Sequence, residues 1–280
     1  MSQFEKKDLV SPRPVIAFLT DFGLGDGDVG VLKGVVAGIA PTAQLLDFTH
    51  DIAPQNVASA AWILASGYRY FPKETVFVCV VDPGVGSKRR AIALQAGSWY
   101  FVGPDNGLFT YILQEQILHN VVSLENPAYR LPQVSTTFHG RDIFAPAGAY
   151  LARGIAIQEL GPPLDPATLQ RIERVAPVHT GSSIDAIVVH VDNFGNLITS
   201  ISLSLLTAWP VLPAARLLFP QQNVEVREIR RFFADGPLND LPFLYGDSSG
   251  YLGVAIRNGN AARQLKIDLG APVTFVMGTS

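Results

Sequence analysis

The chain has 280 residues, 48% of them hydrophobic and 16% charged, with a net charge of -3 and a single cysteine, a balance that suits a globular protein with a large core, long for one domain and comfortable for two. No basic run exceeds three residues, which leaves no electrostatic footprint for a phosphate backbone, and no apolar run approaches the roughly 18 residues of a membrane span. The lone Cys79 gives no disulfide framework, and Glu5, Lys6, Lys7 and Asp8 stand where a signal peptide needs apolar residues, so the expectation is a cytoplasmic protein with neither nucleic acid nor membrane as partner.

In chain order, residues 15–19 form a short apolar run that ends in Thr20-Asp21-Phe22-Gly23 and a glycine-rich loop. Val31, Leu32, Val35, Val36 and Ile39 then recur at helical spacing, with Asp28 as the predicted N-cap and Pro41 closing the helix. A strand is predicted over 44–48, and a helix opened by Asn56 carries Val57, Ala60, Ala61, Leu64 and Tyr68 on one face. Residues 76–81 read as a fully buried strand that delivers Asp82 into the turn Pro83-Gly84-Val85-Gly86, with Lys88-Arg89-Arg90 directly behind. Cys79 lies within that strand and reads as a buried structural thiol. This alternation predicts an α/β domain with a mostly parallel sheet, and open sheets of that kind keep ligands at the C-terminal ends of their strands.

Further strands are predicted at 91–95, 99–102 and 119–124, with helices at 108–113 and 141–153, the latter carrying Pro146 in its first turns. Gly161-Pro162-Pro163 is the strongest breaker, which places a linker around 161–180. Beyond it, runs at 183–191, 197–201, 215–219, 224–229, 243–245, 251–256 and 273–277 are short and separated by turns, the pattern of a smaller all-β, barrel-like domain. The predicted domains are 14–165 and 180–280.

Four polar stretches carry the chemistry: Leu19-Thr20-Asp21-Phe22-Gly23, Val81-Asp82-Pro83-Gly84-Val85-Gly86, Phe138-His139-Gly140-Arg141-Asp142 and Asp192-Asn193-Phe194-Gly195-Asn196. Taken singly, each has a plain structural reading. Asp82 suits its own turn, His139 suits a structural hydrogen bond, and Asp192 with Asn196 suits an Asx-type turn between strands.

Together and in this order they resemble the S-adenosyl-L-methionine hydroxide adenosyltransferases, relatives of the fluorinase and chlorinase enzymes, over nearly the whole chain. The resemblance implies hydrolysis of S-adenosyl-L-methionine to adenosine and L-methionine, with Asp82, Arg89 and His139 as the water-activating trio. It implies that Asp21 holds the ribose hydroxyls, that Asp192 and Ser248 meet the methionine amino and carboxylate groups, and that Asn196 reads the adenine edge. Phe138 and Phe194 are implied to pack against the ligand, and Arg257 and Asn258 to add adenine contacts, although Asn258-Gly259 also reads as a hairpin turn. It further implies a homotrimer with the site at the subunit interface, and neither metal nor cofactor.

The halogenating relatives lack a carboxylate like Asp82, and the fluorinase has serine where Gly140 stands, so the residues lean toward water as nucleophile. Ser249 stands where a fluorinase-like chain offers arginine, which leaves the carboxylate contacts open. The alternatives are a halide-dependent adenosyltransferase, a metal hydrolase built on Asp21, Asp26, Asp28, Asp82 and His139, and a non-catalytic nucleoside sensor. Against the metal site, the chain has no His-x-x-x-His and no cysteine pair.

Overall fold

A computed structural model describes residues 13–173, 176–206, 210, 214–236 and 240–277. Residues 1–12, with Glu5, Lys6, Lys7 and Asp8, part of the predicted linker and the last three residues of the second predicted domain lie outside the described residues. The chain divides into two compact units that part between Arg171 and Ile172. Among the described residues no helix is long and apolar enough to cross a membrane.

In the first unit, strands β1 (Val15–Thr20), β2 (Gln44–Thr49), β3 (Val76–Val80), β4 (Ala91–Ala96), β5 (Trp99–Pro104) and β6 (Leu118–Ser123) form one sheet in the order β2-β1-β3-β5-β4-β6. The pairs β1–β2, β1–β3 and β3–β5 are parallel, while β4 runs antiparallel to both β5 and β6. The sheet is therefore mixed rather than mostly parallel. The physical reason is the Ala96-Gly97-Ser98 turn: so short a connection returns the chain alongside itself and forces an antiparallel pair.

Successive side chains of a strand point to opposite faces, so a strand covered on both sides must be apolar at every position. Ile16, Phe18, Val76, Val78 and Val80 pack on one face with residues of helices α1 (Asp28–Ile39) and α4 (Ala145–Ala152). Ala17, Leu19, Phe77 and Cys79 pack on the other with α2 (Val57–Gly67) and α3 (Thr110–Glu115). The result is a sheet between two helical layers. With β2 on one side of β1 and β3 on the other, the chain reverses its direction of winding at β1 and β3, and their C-terminal ends open a crevice there.

Helix boundaries depart from the sequence reading in two places. Gly27, at φ +76°, occupies the N-cap of α1 without a side-chain cap, and Asp28 lies in the first turn, where a carboxylate favours the helix dipole. The predicted helix over 141–153 opens as a five-residue π-helical segment, Gly140–Phe144, before α4 carries Pro146 in its first turn. Such wide turns recur at functional sites.

In the second unit, β7 (Val178–Thr180), β8 (Ser183–Val191), β9 (Leu197–Ser202), β10 (Arg216–Phe219), β11 (Val224–Val226), β12 (Glu228–Ile229), β13 (Pro242–Gly246), β14 (Tyr251–Ile256) and β15 (Pro272–Val276) pair in the order β11-β10-β15-β8-β9-β14-β13-β12, with β7 on β8. All pairs are antiparallel except β12–β13. The sheet curls until β11 comes near β13, a barrel-like form around Val188, Leu217, Leu244, Val254 and Phe275. A short helix, α5 (Ala261–Leu265), interrupts the strands, so Asn258-Gly259 turns into a helix rather than a hairpin.

Candidate active site

The crevice at the ends of β1 and β3 is a cleft of about 430 Å³ whose lining includes Asp21, Asp28, Gln55, Asp82, Phe138 and His139. Each residue arrives by a different route. Asp21 is the first residue after β1, Asp82 follows β3 by one residue beyond Val81, and His139 directly precedes the π-helical segment.

Asp82 and Arg89 form an ion pair whose side chains are only 4% and 10% exposed. The Arg89 Nε donates to both Asp82 carboxylate oxygens at 2.9 Å, and its Nη2 donates to Oδ2. The same Nη2 lies 2.8 Å from His139 Nδ1. A guanidinium only donates, so Nδ1 must accept and the neutral ring carries its proton on Nε2. Burial, reinforced by the Arg89 cation, pushes the His139 pKa below its ordinary value, which favours that neutral form. The Arg89 guanidinium also lies 5.2 Å from the Phe144 ring centroid. Asp82 thus retains acceptor capacity on Oδ1 while its other sites face Arg89.

The loop bearing His139 is held by Asp142, which is completely buried. Its Oδ2 accepts from the Ser135 N–H at 2.8 Å, Ser135 Oγ accepts from the Phe138 N–H at 3.0 Å, and Arg141 Nε donates to Oδ1 at 2.6 Å. Burial alone would raise the Asp142 carboxyl, but the hydrogen bonds from Arg141 and Ser135 outweigh it and hold the pKa below the usual value. The loops bearing Asp82 and His139 press together at Gly86, whose φ is +78° and where a Cβ would collide with the Thr136 carbonyl oxygen. Phe22 and Phe138 form an edge-to-face pair at 5.8 Å that walls the cleft.

Asp21 Oδ2 accepts from the Gln55 N–H at 2.7 Å. Gln55 contributes through its backbone at φ 65°, which left no side-chain signal to read.

The second unit has its own groove of about 570 Å³, lined by Phe194, Asn196, Ile256, Arg257, Asn258 and Phe233. Asp192 closes an Asx-type turn at its edge: Oδ1 accepts from the N–H groups of Phe194 and Asn196 at 2.9 and 2.8 Å, and Oδ2 accepts from Asn196 Nδ2 at 2.8 Å. Ser248 is exposed on the turn between β13 and β14, where Asp247 Oδ1 accepts from the N–H groups of Ser249 and Tyr251. Neither Asp192 nor Ser248 lines the groove itself. Phe233, half exposed and packed 4.9 Å from the Tyr245 ring, is absent from the sequence reading; the adjacent pair Phe232-Phe233 in a loop was the available signal.

Among the described residues no group of three or more His, Cys, Asp and Glu side chains is arranged to hold a metal ion. Asp21, Asp28 and Asp82 line the cleft of the first unit, where a cationic ligand gains from the field of the carboxylates.

Fold and site define a protein with an α/β sheet whose strand-end cleft carries a carboxylate, guanidinium and imidazole constellation, joined in one chain to a barrel-like antiparallel unit. Models of the SAM hydroxide adenosyltransferase N-terminal and C-terminal domains match residues 16–161 and 186–274, and the chain belongs to this family. It is 39% identical over 268 residues to a protein of Salinispora arenicola named (R)-S-adenosyl-L-methionine hydrolase, covering 95% of this chain and 98% of that one. A fluorinase of an Actinoplanes species is 27% identical over 93% of this chain and 97% of its own. The crystal structure of an uncharacterized conserved protein from Thermotoga maritima superposes with a TM-score of 0.84 at 33% identity, covering 93% of this chain and 99% of that one.

Proposed function

We propose that this chain hydrolyses S-adenosyl-L-methionine to adenosine and L-methionine. The observation that carries the reading is the half-buried Asp82–Arg89–His139 constellation at the ends of β1 and β3, in a cleft lined by carboxylates. A sulfonium departs as a neutral thioether, so the reaction asks for an aligned nucleophile more than for a Lewis acid. Water attacks the ribose C5′, the C5′–S bond breaks with its electron pair on sulfur, and one water proton is released.

Asp82 Oδ1 is the acceptor for that water proton, and His139 Nε2–H is a donor that fixes the water oxygen. Arg89 holds both groups in one geometry. Positioning of this kind is worth roughly 7–11 kcal/mol of barrier when reacting atoms are well aligned. Asp21 accepts from the ribose hydroxyls. In the second unit, Asn196, Arg257 and Asn258 meet the adenine, Phe194 packs on it, and Asp192 and Ser248 face the amino-acid end. The active species is a homotrimer with each site completed at a subunit interface, and the reaction uses no metal or cofactor.

The 39% relative named a hydrolase, against 27% for the fluorinase, favours water over halide. Gly140 adds to this: a Cβ there would meet the Phe22 ring at 3.2 Å, so the serine of the fluorinase would crowd the wall of this cleft. The test is incubation of the purified protein with S-adenosyl-L-methionine, with and without high chloride. Adenosine and methionine, unchanged by chloride, are expected; a halogenated nucleoside or intact substrate would overturn the reading.

A further inference from the structure

Behind the cleft lies a second hydrogen-bonded row that takes no part in the proposed water site. Thr20, the last residue of β1, has its Oγ1 2.8 Å from His50 Nδ1, and His50 Nε2 is 2.9 Å from Asp47 Oδ1, whose Oδ2 accepts from Lys33 Nζ at 2.7 Å. The order Thr-His-Asp resembles a nucleophile with its base. Thr20 is completely buried, however, and its Oγ1 already accepts from the Phe22 N–H at 3.2 Å, so no substrate reaches it. The row therefore does something other than covalent catalysis.

Its direction can be read. Since the Asp47 carboxylate only accepts, the ring's Nε2–H goes to Asp47, and Nδ1 of the neutral ring accepts the Thr20 hydroxyl proton, while Oγ1 accepts from the Phe22 N–H. His50 also holds the loop by its backbone, because its carbonyl accepts from the Gly23 N–H at 2.8 Å, where Gly23 turns at φ +65°. Asp21 sits between these two anchors, and its Oδ2 is met by the N–H of Gln55, five residues after His50. The β1–β2 ladder slips by one residue between Phe18 and Leu19, so side-chain bonds from His50 take over where regular pairing stops.

We infer that His50 is a positioning residue that sets the Asp21 carboxylate for recognition of a vicinal diol, holding the Thr20–Gly23 turn from both its ring and its carbonyl. This rests on the reading that Asp21 binds the ribose. A loosened turn would let the carboxylate swing, so the two-hydroxyl contact is lost while the rest of the nucleoside still binds.

The experiment is calorimetric titration of the full chain with adenosine and with 2′,3′-dideoxyadenosine, comparing the ratio of their affinities in wild type, Asp21→Ala, His50→Phe, His50→Asn and Asp47→Ala. His50→Phe is expected to shrink the ratio at least about tenfold, the scale of one hydrogen bond to a charged group, with dideoxyadenosine affinity nearly unchanged. His50→Asn, which keeps an acceptor for the Thr20 hydroxyl, recovers most of the ratio, and Asp47→Ala falls between. A merely structural histidine would weaken both ligands equally and leave the ratio unchanged in His50→Phe and Asp47→Ala, which overturns the inference. If the ratio is also unchanged in Asp21→Ala, the ribose reading itself fails; if it collapses there alone, only the positioning role does. Should His50→Phe not fold, Asp47→Ala and His50→Asn carry the same comparison.

Discussion

Arg89 Nη2 donates to His139 Nδ1 at 2.8 Å, and this single contact fixes the protonation state of the imidazole. A proton on Nδ1 would set two donors against each other, and burial already pushes the His139 pKa below its ordinary value.

The first prediction follows from that sign. His139 stays neutral as pH falls through about 6.5, the unperturbed histidine value, and charges only in more acidic solution. The acid limb that His139 contributes to kcat/KM is therefore expected below that pH, and His139→Asn should remove it. A histidine whose folded pKa is depressed binds its proton more readily unfolded, so its linkage term lowers stability as pH falls toward and below 6.5. A pH–rate profile with parallel melts measures both; a His139-dependent limb above 6.5 would contradict the geometry.

The second prediction separates chemistry from binding at Asp82. Asp82→Asn keeps the volume and loses the charge facing Arg89, and it is expected to lower kcat by about 10²–10⁴, the usual weight of a positioned proton acceptor, with KM little changed. Arg89→Met should cost stability as well, since one partner of a buried pair is removed and Asp82 is left uncompensated, a loss on the order of 3–5 kcal/mol. Steady-state kinetics and denaturant melts of both variants are the check. Equal rises in KM and falls in kcat for Asp82→Asn would instead make it a binding residue.

The third concerns the wall of the cleft. Gly140→Ser places a Cβ 3.2 Å from Phe22 and 3.4 Å from Phe138, so the aromatic pair must give by a few tenths of an ångström. Activity should fall about three- to tenfold with a modest stability loss of about 1 kcal/mol, the lower end for overpacking. A gain of halide-dependent product in this variant would show that Gly140 takes part in selecting water.

Much of the fold was legible because its grammar is local. Ser183–Val191 and Tyr251–Ile256 have the bounds that their apolar runs suggest, and Asn56 caps α2 through a hydrogen bond from the Ser59 N–H at 2.9 Å. Burial on both faces wrote β3 as an unbroken apolar run, and the carboxylate after it stood out for the same reason. What stayed hidden depends on contacts distant in sequence. The runs of β4 and β5 look alike, yet β5 inserts beside β3 and β4 lies outside it. The π-helical turn at Gly140 and the five-residue α5 are too short to carry a period. At the site, Asp82 and Arg89 are neighbours within one loop, but their meeting with His139, fifty residues beyond Arg89, was supplied by motif resemblance and not by spacing.

The last prediction tests the second unit. Asp192 accepts three hydrogen bonds from the turn that presents Phe194 and Asn196, so Asp192→Ala leaves those donors without their partner and should destabilise the protein by about 1–3 kcal/mol. Asn196→Ala removes a side chain from the groove but spares the backbone bond to Asp192, so its stability cost should be smaller. On the proposal that the groove binds the parts of the substrate that do not react, both variants are expected to raise KM for S-adenosyl-L-methionine at least about tenfold with kcat nearly constant. The two can be told apart by melting temperature: Asp192→Ala falls further than Asn196→Ala for a similar change in KM. If Asn196→Ala leaves KM unchanged, the adenine does not use that groove.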